Sequence, residues 1–304
     1  SKFNRQLVVS TVDPYFTPDG ISRSIDAYYR TTRPYDTQST TNTGDYRLIT
    51  KGMSLRFGVP FTEADTVFFG AGIEQTTIET GIFLPDAYRD YARDFGETSN
   101  TVPLTVGWAR DTRDSALVPT RGRLQRINTE LGVAGDARYV KANYQFQQYF
   151  PLSKQYTLAL NSELGFGKGL GGRPYPVFKN FFGGGLGSVR GFEQGTLGPS
   201  SPVSGSADTV NIGGSRSIAL NAEFIAPFPG AGNDRSLRMF GFVDVGNVFG
   251  ENDARANAKD LRASVGVGLS WISPVGPLRF AIANPIRKFT GDKIQKFQFQ
   301  IGTS

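Results

Sequence analysis

The sequence predicts an all-β protein, an antiparallel transmembrane β-barrel, and three observations predict it. Apolar and polar residues alternate with a period of two from end to end, as in strands with one apolar and one polar face. The alternating runs reach about 10–14 residues, where strands of soluble proteins usually have five or six. Compact proline-rich connectors take turns with longer polar ones, the habit of outer-membrane barrels with short turns at one end and long loops at the other.

In residues 155–166, Tyr156, Leu158, Leu160, Leu164 and Phe166 alternate with Gln155, Thr157, Asn161 and Glu163. In residues 217–224, Ile218, Leu220, Ala222 and Phe224 alternate with Ser217, Asn221 and Glu223. Leu261, Ala263, Val265, Val267, Leu269 and Trp271 likewise face away from Arg262, Ser264 and Ser270. Splitting the chain at its turns gives thirteen strands, at 3–13, 20–32, 44–59, 65–79, 101–112, 121–133, 137–150, 155–168, 214–226, 236–248, 260–272, 277–287 and 293–303. The short connectors include 13–20, 60–65, 114–120, 151–154, 227–234 and 273–277; the long ones are 80–100, 169–213 and the polar stretch 250–259. No helix of consequence and no internal domain boundary is expected, so residues 1–304 read as a single barrel domain. Aromatic pairs at strand ends, Tyr28-Tyr29, Phe68-Phe69, Tyr149-Phe150 and Phe181-Phe182, suit a bilayer interface. Polar strand faces carrying glycine, asparagine, glutamine and charge suit a wet lumen. A soluble sandwich or propeller shares the alternation but not these features.

Composition narrows the chemistry. The chain has neither cysteine nor histidine, which excludes disulfides, thiolate zinc sites and histidine-based catalysis. The net charge of +6 is scattered, with no basic run of five or more, so nucleic acid is not an expected partner. No apolar stretch reaches about 18 residues, so no transmembrane helix is expected. Residues 1–5 are not a leader; a leader for an exported protein would lie upstream. Asp111 and Asp114, interleaved with Arg110 and Arg113, read as a solvated turn network rather than a catalytic or metal-binding pair. No phosphate loop and no nucleophile elbow occurs, and no cofactor or metal is expected.

The longest connector, 169–213, carries Gly183-Gly184-Gly185-Leu186-Gly187-Ser188-Val189-Arg190-Gly191-Phe192. A loop this long is uncommon unless it folds back and does a job. Arg190 is the anchor to expect, since a buried guanidinium needs carboxylates. At this point the likeness to a known family becomes specific. Val189-Arg190-Gly191-Phe192 resembles the loop signature of the outer-membrane assembly-factor superfamily, the bacterial surface antigen family. Asp111-Thr112-Arg113-Asp114 with Pro119-Thr120-Arg121-Gly122 is similar to its mid-barrel turn. Residues 13–20, 242–249, 273–278 and 297–302 are similar to segments of its assembly-factor branch.

The resemblance implies a sixteen-stranded parent barrel of which this chain holds about thirteen C-terminal strands, behind absent first strands and periplasmic repeat domains. The odd strand count agrees, since bacterial barrels have even numbers. It implies that the loop arginine reaches inside to Glu223 and Asp244; the parity of Glu223 suits this, whereas Phe240 and Phe242 share the face of Asp244. It implies a barrel, not an enzyme, that folds and inserts nascent outer-membrane proteins through a lateral gate between first and last strands. Phe297, Phe299, Ile301 and Thr303 would form the outward row of that last strand, with the family's usual terminal aromatic absent after Ser304. The implied partners are unfolded outer-membrane proteins, accessory assembly lipoproteins and the bilayer, at the bacterial outer membrane, without a cofactor. Alternatives are a polypeptide-secretion or translocation-assembly barrel of the same superfamily, or a passive porin.

Overall fold

Twelve long strands and a short thirteenth form one antiparallel sheet in strict sequence order. The computed structural model describes residues 3–33, 47–79, 84–205, 207, 209–232, 234–251 and 258–302. The strands are β1 (Phe3–Asp13), β2 (Ser22–Arg33), β3 (Arg47–Pro60), β4 (Asp65–Glu79), β5 (Thr98–Asp111), β6 (Gly122–Gly135) and β7 (Tyr139–Pro151). After them come β8 (Thr157–Gly169), β9 (Arg216–Pro227), β10 (Leu237–Phe249), β11 (Arg262–Ser273), β12 (Gly276–Arg287) and β13 (Phe297–Ile301). All thirteen expected strands are present; residues 44–46, 80–83, 252–257, Thr303 and Ser304 lie outside the described residues.

The alternation is inside-out relative to a soluble protein. Leu160, Leu164, Leu220, Phe224, Val267 and Trp271 are exposed, each between 37% and 61%. Their polar neighbours face the concave side, where Asn161 pairs across to Asn221. An apolar exterior with a polar interior is the arrangement a bilayer selects, because lipid accepts the side chains and the ladder satisfies the backbone.

Two expectations need correction. Residues 80–100 are not helix-free: Asp86–Phe95 forms a 10-residue helix, α1, after Pro85. Tyr88, Tyr91 and Phe95 recur at helical spacing and pack on Leu48, Ile78, Leu84 and Val177. A helix this short is marginal alone and owes its stability to that packing. The second correction concerns the last strand, expected over 293–303. Only Phe297–Ile301 pairs with β12, while Ile294–Gln295 pairs with Gly191–Phe192 of the long loop. The described residues of 169–213 fold inward, and α1 docks on them: the Ala87 amide donates to Ser201 Oγ at 3.0 Å and Ser204 Oγ donates to Asp86 at 2.6 Å.

Candidate functional site

The long loop enters the lumen and is held by two buried ionic anchors among the described residues. At the first, Arg190 lies almost fully buried between β9 and β10. The register sets Asn221 of β9 opposite Asp244 of β10 and Glu223 opposite Phe242, so both carboxylates and the amide project from one small area of the inner face. Arg190 Nε and Nη2 donate to the two Asp244 oxygens, each at 2.7 Å, a bidentate fork. The Arg190 backbone amide donates to Asp244 at 3.0 Å, and Arg190 Nη1 donates to Glu223. Asn221 Nδ2 donates to Asp244 at 2.8 Å and also to the Ser188 carbonyl at 2.8 Å, joining the loop backbone to the cluster. Burial alone would weaken the Arg190 cation, but the two carboxylates outweigh it and raise its pKa, so the guanidinium stays charged.

The irregular alternation around Asp244 has a physical reason. Phe242 lies under the guanidinium with 3.7 Å from Arg190 Cζ to the ring centroid, and Phe240 is 5.6 Å away. The aromatic face supplies a cation–π floor that excludes water from the ion pairs. Two glycines make the approach possible. Gly246 has no side chain where Val189 sits; a Cβ there would fall 2.9 Å from Val189 Cγ2. Gly191 has φ of +93°, and a Cβ on it would lie 3.0 Å from Ala283 Cβ of β12. Phe192 is fully buried with Val189 and Leu197, against Ile294.

The second anchor carries no motif and was not anticipated. Lys179 is buried on the opposite side of the loop's path, where its ammonium meets Glu74 of β4 at 2.6 Å and Glu130 of β6 at 3.3 Å. Tyr28 donates to Glu74 at 2.6 Å and Tyr139 donates to Glu130 at 2.7 Å, completing both carboxylates. The residues come from distant points of the sequence, and only their shared inward parity could have suggested the grouping.

The structure thus brings Val189, Arg190, Gly191, Phe192, Glu223 and Asp244 together. Phe297, Phe299 and Ile301 are not among them: they form an exposed outward row on β13. The residue between them that reaches the loop is Gln298, buried on the inner face. Arg279 of β12, also unanticipated, donates to Glu223 at 2.9 Å. Asp111 and Asp114 form the expected turn network: Arg113 is paired with Asp111 at 2.9 Å, and Asp114 accepts from the Thr120 amide at 2.8 Å.

A sheet with a lipid-compatible exterior, curled around a charge-latched inward loop, defines an outer-membrane β-barrel of the loop-latched kind. The chain belongs to the Omp85 superfamily, whose domain matches residues 1–304. It is 37% identical to the outer membrane protein assembly factor BamA of Neisseria meningitidis serogroup B, over 97% of this chain and 41% of that protein. The BamA of Nitratidesulfovibrio vulgaris is 31% identical, over 85% of this chain and 32% of that one. Among solved structures, BamA from Haemophilus ducreyi lacking POTRA domains 1–3 superposes with a TM-score of 0.88 at 26% identity, covering 98% of this chain and 62% of that one. The chain therefore spans less than half the length of the two relatives.

Proposed function

We propose that this chain is the membrane barrel of an outer-membrane protein assembly factor, which folds and inserts nascent β-barrel proteins at the bacterial outer membrane. The observation that carries the reading is the likeness to the Neisseria assembly factor along 97% of the chain. The partners are unfolded outer-membrane proteins, accessory assembly lipoproteins and the surrounding lipid. Unfolded strands carry backbone groups that hydrocarbon cannot satisfy, each costing several kcal/mol, on the order of 2–7 by transfer measurements. An exposed strand edge offers those groups partners one ladder at a time. In this chain the edges of the sheet are β1 and β13. On this reading the lateral gate is the line between the first and last strands of the whole barrel. The reaction is strand exchange driven by folding and burial in lipid, so it needs no nucleotide, metal or covalent step. The latch holds the loop across the lumen until the edge is released to exchange partners.

The test is complementation in cells depleted of their own copy, using the full-length protein. Arg190→Glu sets three anions against one another and is expected to abolish barrel assembly. Adding Asp244→Arg restores part of it, and Glu223→Arg restores less because Asp244 still repels. Wild-type assembly with Arg190→Ala, joined to a steady single-channel conductance, would refute the reading and favour a passive porin.

A further inference from the structure

We propose that Gln298 is a positioning residue that ties the latched loop to the last strand, so that the two are released together. The proposal deepens the assembly reading and rests on it for the purpose of the coupling, though not for its geometry. Gln298 is 6% exposed and points inward, opposite to Phe297 and Phe299. Its Nε2 donates to the Phe192 carbonyl at 2.8 Å, and its Oε1 accepts the Gly191 amide at 3.2 Å. One side-chain amide thus engages a donor and an acceptor on adjacent loop residues, as the backbone of a neighbouring strand would.

The main chain just before it continues the same ladder. Ile294 and Gln295 pair antiparallel with Phe192 and Gly191, and the Glu193 amide donates to the Lys293 carbonyl at 3.0 Å. The last strand therefore changes partner along its length. From Phe297 to Ile301 it pairs with β12, and over Ile294–Gln295 it pairs with the loop. At the crossover, the Ala283 amide of β12 donates to the Lys296 carbonyl at 2.8 Å. The neighbouring residue on the loop is Arg190, fixed to β9 and β10. Two consecutive residues thus bridge the wall of the barrel and its edge strand. Withdrawing the loop removes the partners of residues 293–295 and both bonds of Gln298 at once. Those backbone groups are then free for an extended polypeptide of matching edge chemistry.

The coupling is read by backbone amide exchange of the full-length protein in lipid nanodiscs, followed on peptides spanning 188–195, 280–285 and 293–301. Gln298→Met keeps the volume and removes both bonds. It is expected to speed exchange about tenfold or more in the first two peptides, from two net hydrogen bonds lost. Gln298→Glu keeps the acceptor but sets a buried carboxylate against the Phe192 carbonyl, so it speeds exchange in the same two peptides at least as much. Arg190→Ala is expected to speed exchange at 280–285 as well, while the β3–β4 ladder is unchanged in all three. Unchanged exchange in the Gln298→Met loop peptide, or an effect confined to β13, would overturn the proposal. Should Gln298→Met fail to fold, the Gln298→Glu comparison decides alone. Barrel assembly is scored in parallel: faster exchange with full assembly upholds the tie and counts against the assembly reading, whereas lost assembly with unchanged exchange does the reverse.

Discussion

Replacing Asp244 by asparagine should loosen the loop far more than replacing Glu223 by glutamine, although both partners of Arg190 were recognisable together. Asp244 is fully buried and accepts four hydrogen bonds: two from the guanidinium, one from the Arg190 amide and one from Asn221. Removing its charge leaves a buried guanidinium short of its bidentate partner, a change worth about 3–5 kcal/mol. Glu223 accepts one bond from Arg190 and one from Arg279. Arg279 is 41% exposed and can turn to water, so losing Glu223 removes one charge-assisted bond, about 1.5–3 kcal/mol. The expected gap is about 2 kcal/mol, roughly thirtyfold in loop opening. Exchange rates of amides 188–192 measure it, with the urea midpoint of the full-length protein in vesicles as a second readout. Equal effects, or a larger one from Glu223→Gln, would refute the assignment of Asp244 as the main anchor.

The Lys179 anchor makes a prediction of its own. Lys179→Met leaves Glu74 and Glu130 without their cation and should expose 174–181 to proteolysis, a local loss of about 3–5 kcal/mol that Glu130→Gln partly relieves. Burial opposes the Lys179 ammonium, but Glu130 and Glu74 prevail and raise its pKa above the ordinary amine value. Its stabilisation is therefore complete below that ordinary value, about pH 10, and is lost only as pH rises through the raised one, which proteolysis across alkaline buffers checks. At the β5–β6 turn, slight burial is overcome by hydrogen bonds from Thr120 and Arg121, which hold the Asp114 carboxyl at about 2. Its contribution is present above about pH 4 and fades as pH falls through 2; solvent screening keeps it under about 1 kcal/mol, and Asp114→Ala should remove that acid dependence from a melting profile.

The strands were legible because lipid and lumen impose opposite demands on successive residues, and period two records those demands directly. Leu160 beside Asn161, or Phe224 beside Glu223, carries the face assignment in two letters. Helix α1 was not legible, since Tyr88, Tyr91 and Phe95 make too short a stripe to separate from loop aromatics. The latch was half legible: the motif named Arg190, and parity favoured Glu223, but Phe240 and Phe242 confused the face of Asp244. They confused it because an aromatic floor under a guanidinium is an apolar element placed inside the lumen. Lys179, Glu74 and Glu130 lie far apart in sequence and converge only once the sheet curls, so no local pattern announces them.

The length of β13 bears on how the barrel yields under load. Its ladder with β12 runs for five residues, Phe297–Ile301, whereas the other neighbouring ladders of the sheet extend over ten or more positions among the described residues. In an antiparallel ladder pulled sideways the rungs break in turn from one end, and a ladder with fewer rungs parts at lower cumulative work. Thickening the bilayer, or drawing on a tethered strand, would therefore localise failure to the β12–β13 line and spare the rest of the wall. A short ladder between β12 and β13 makes one line of the wall its mechanical fuse.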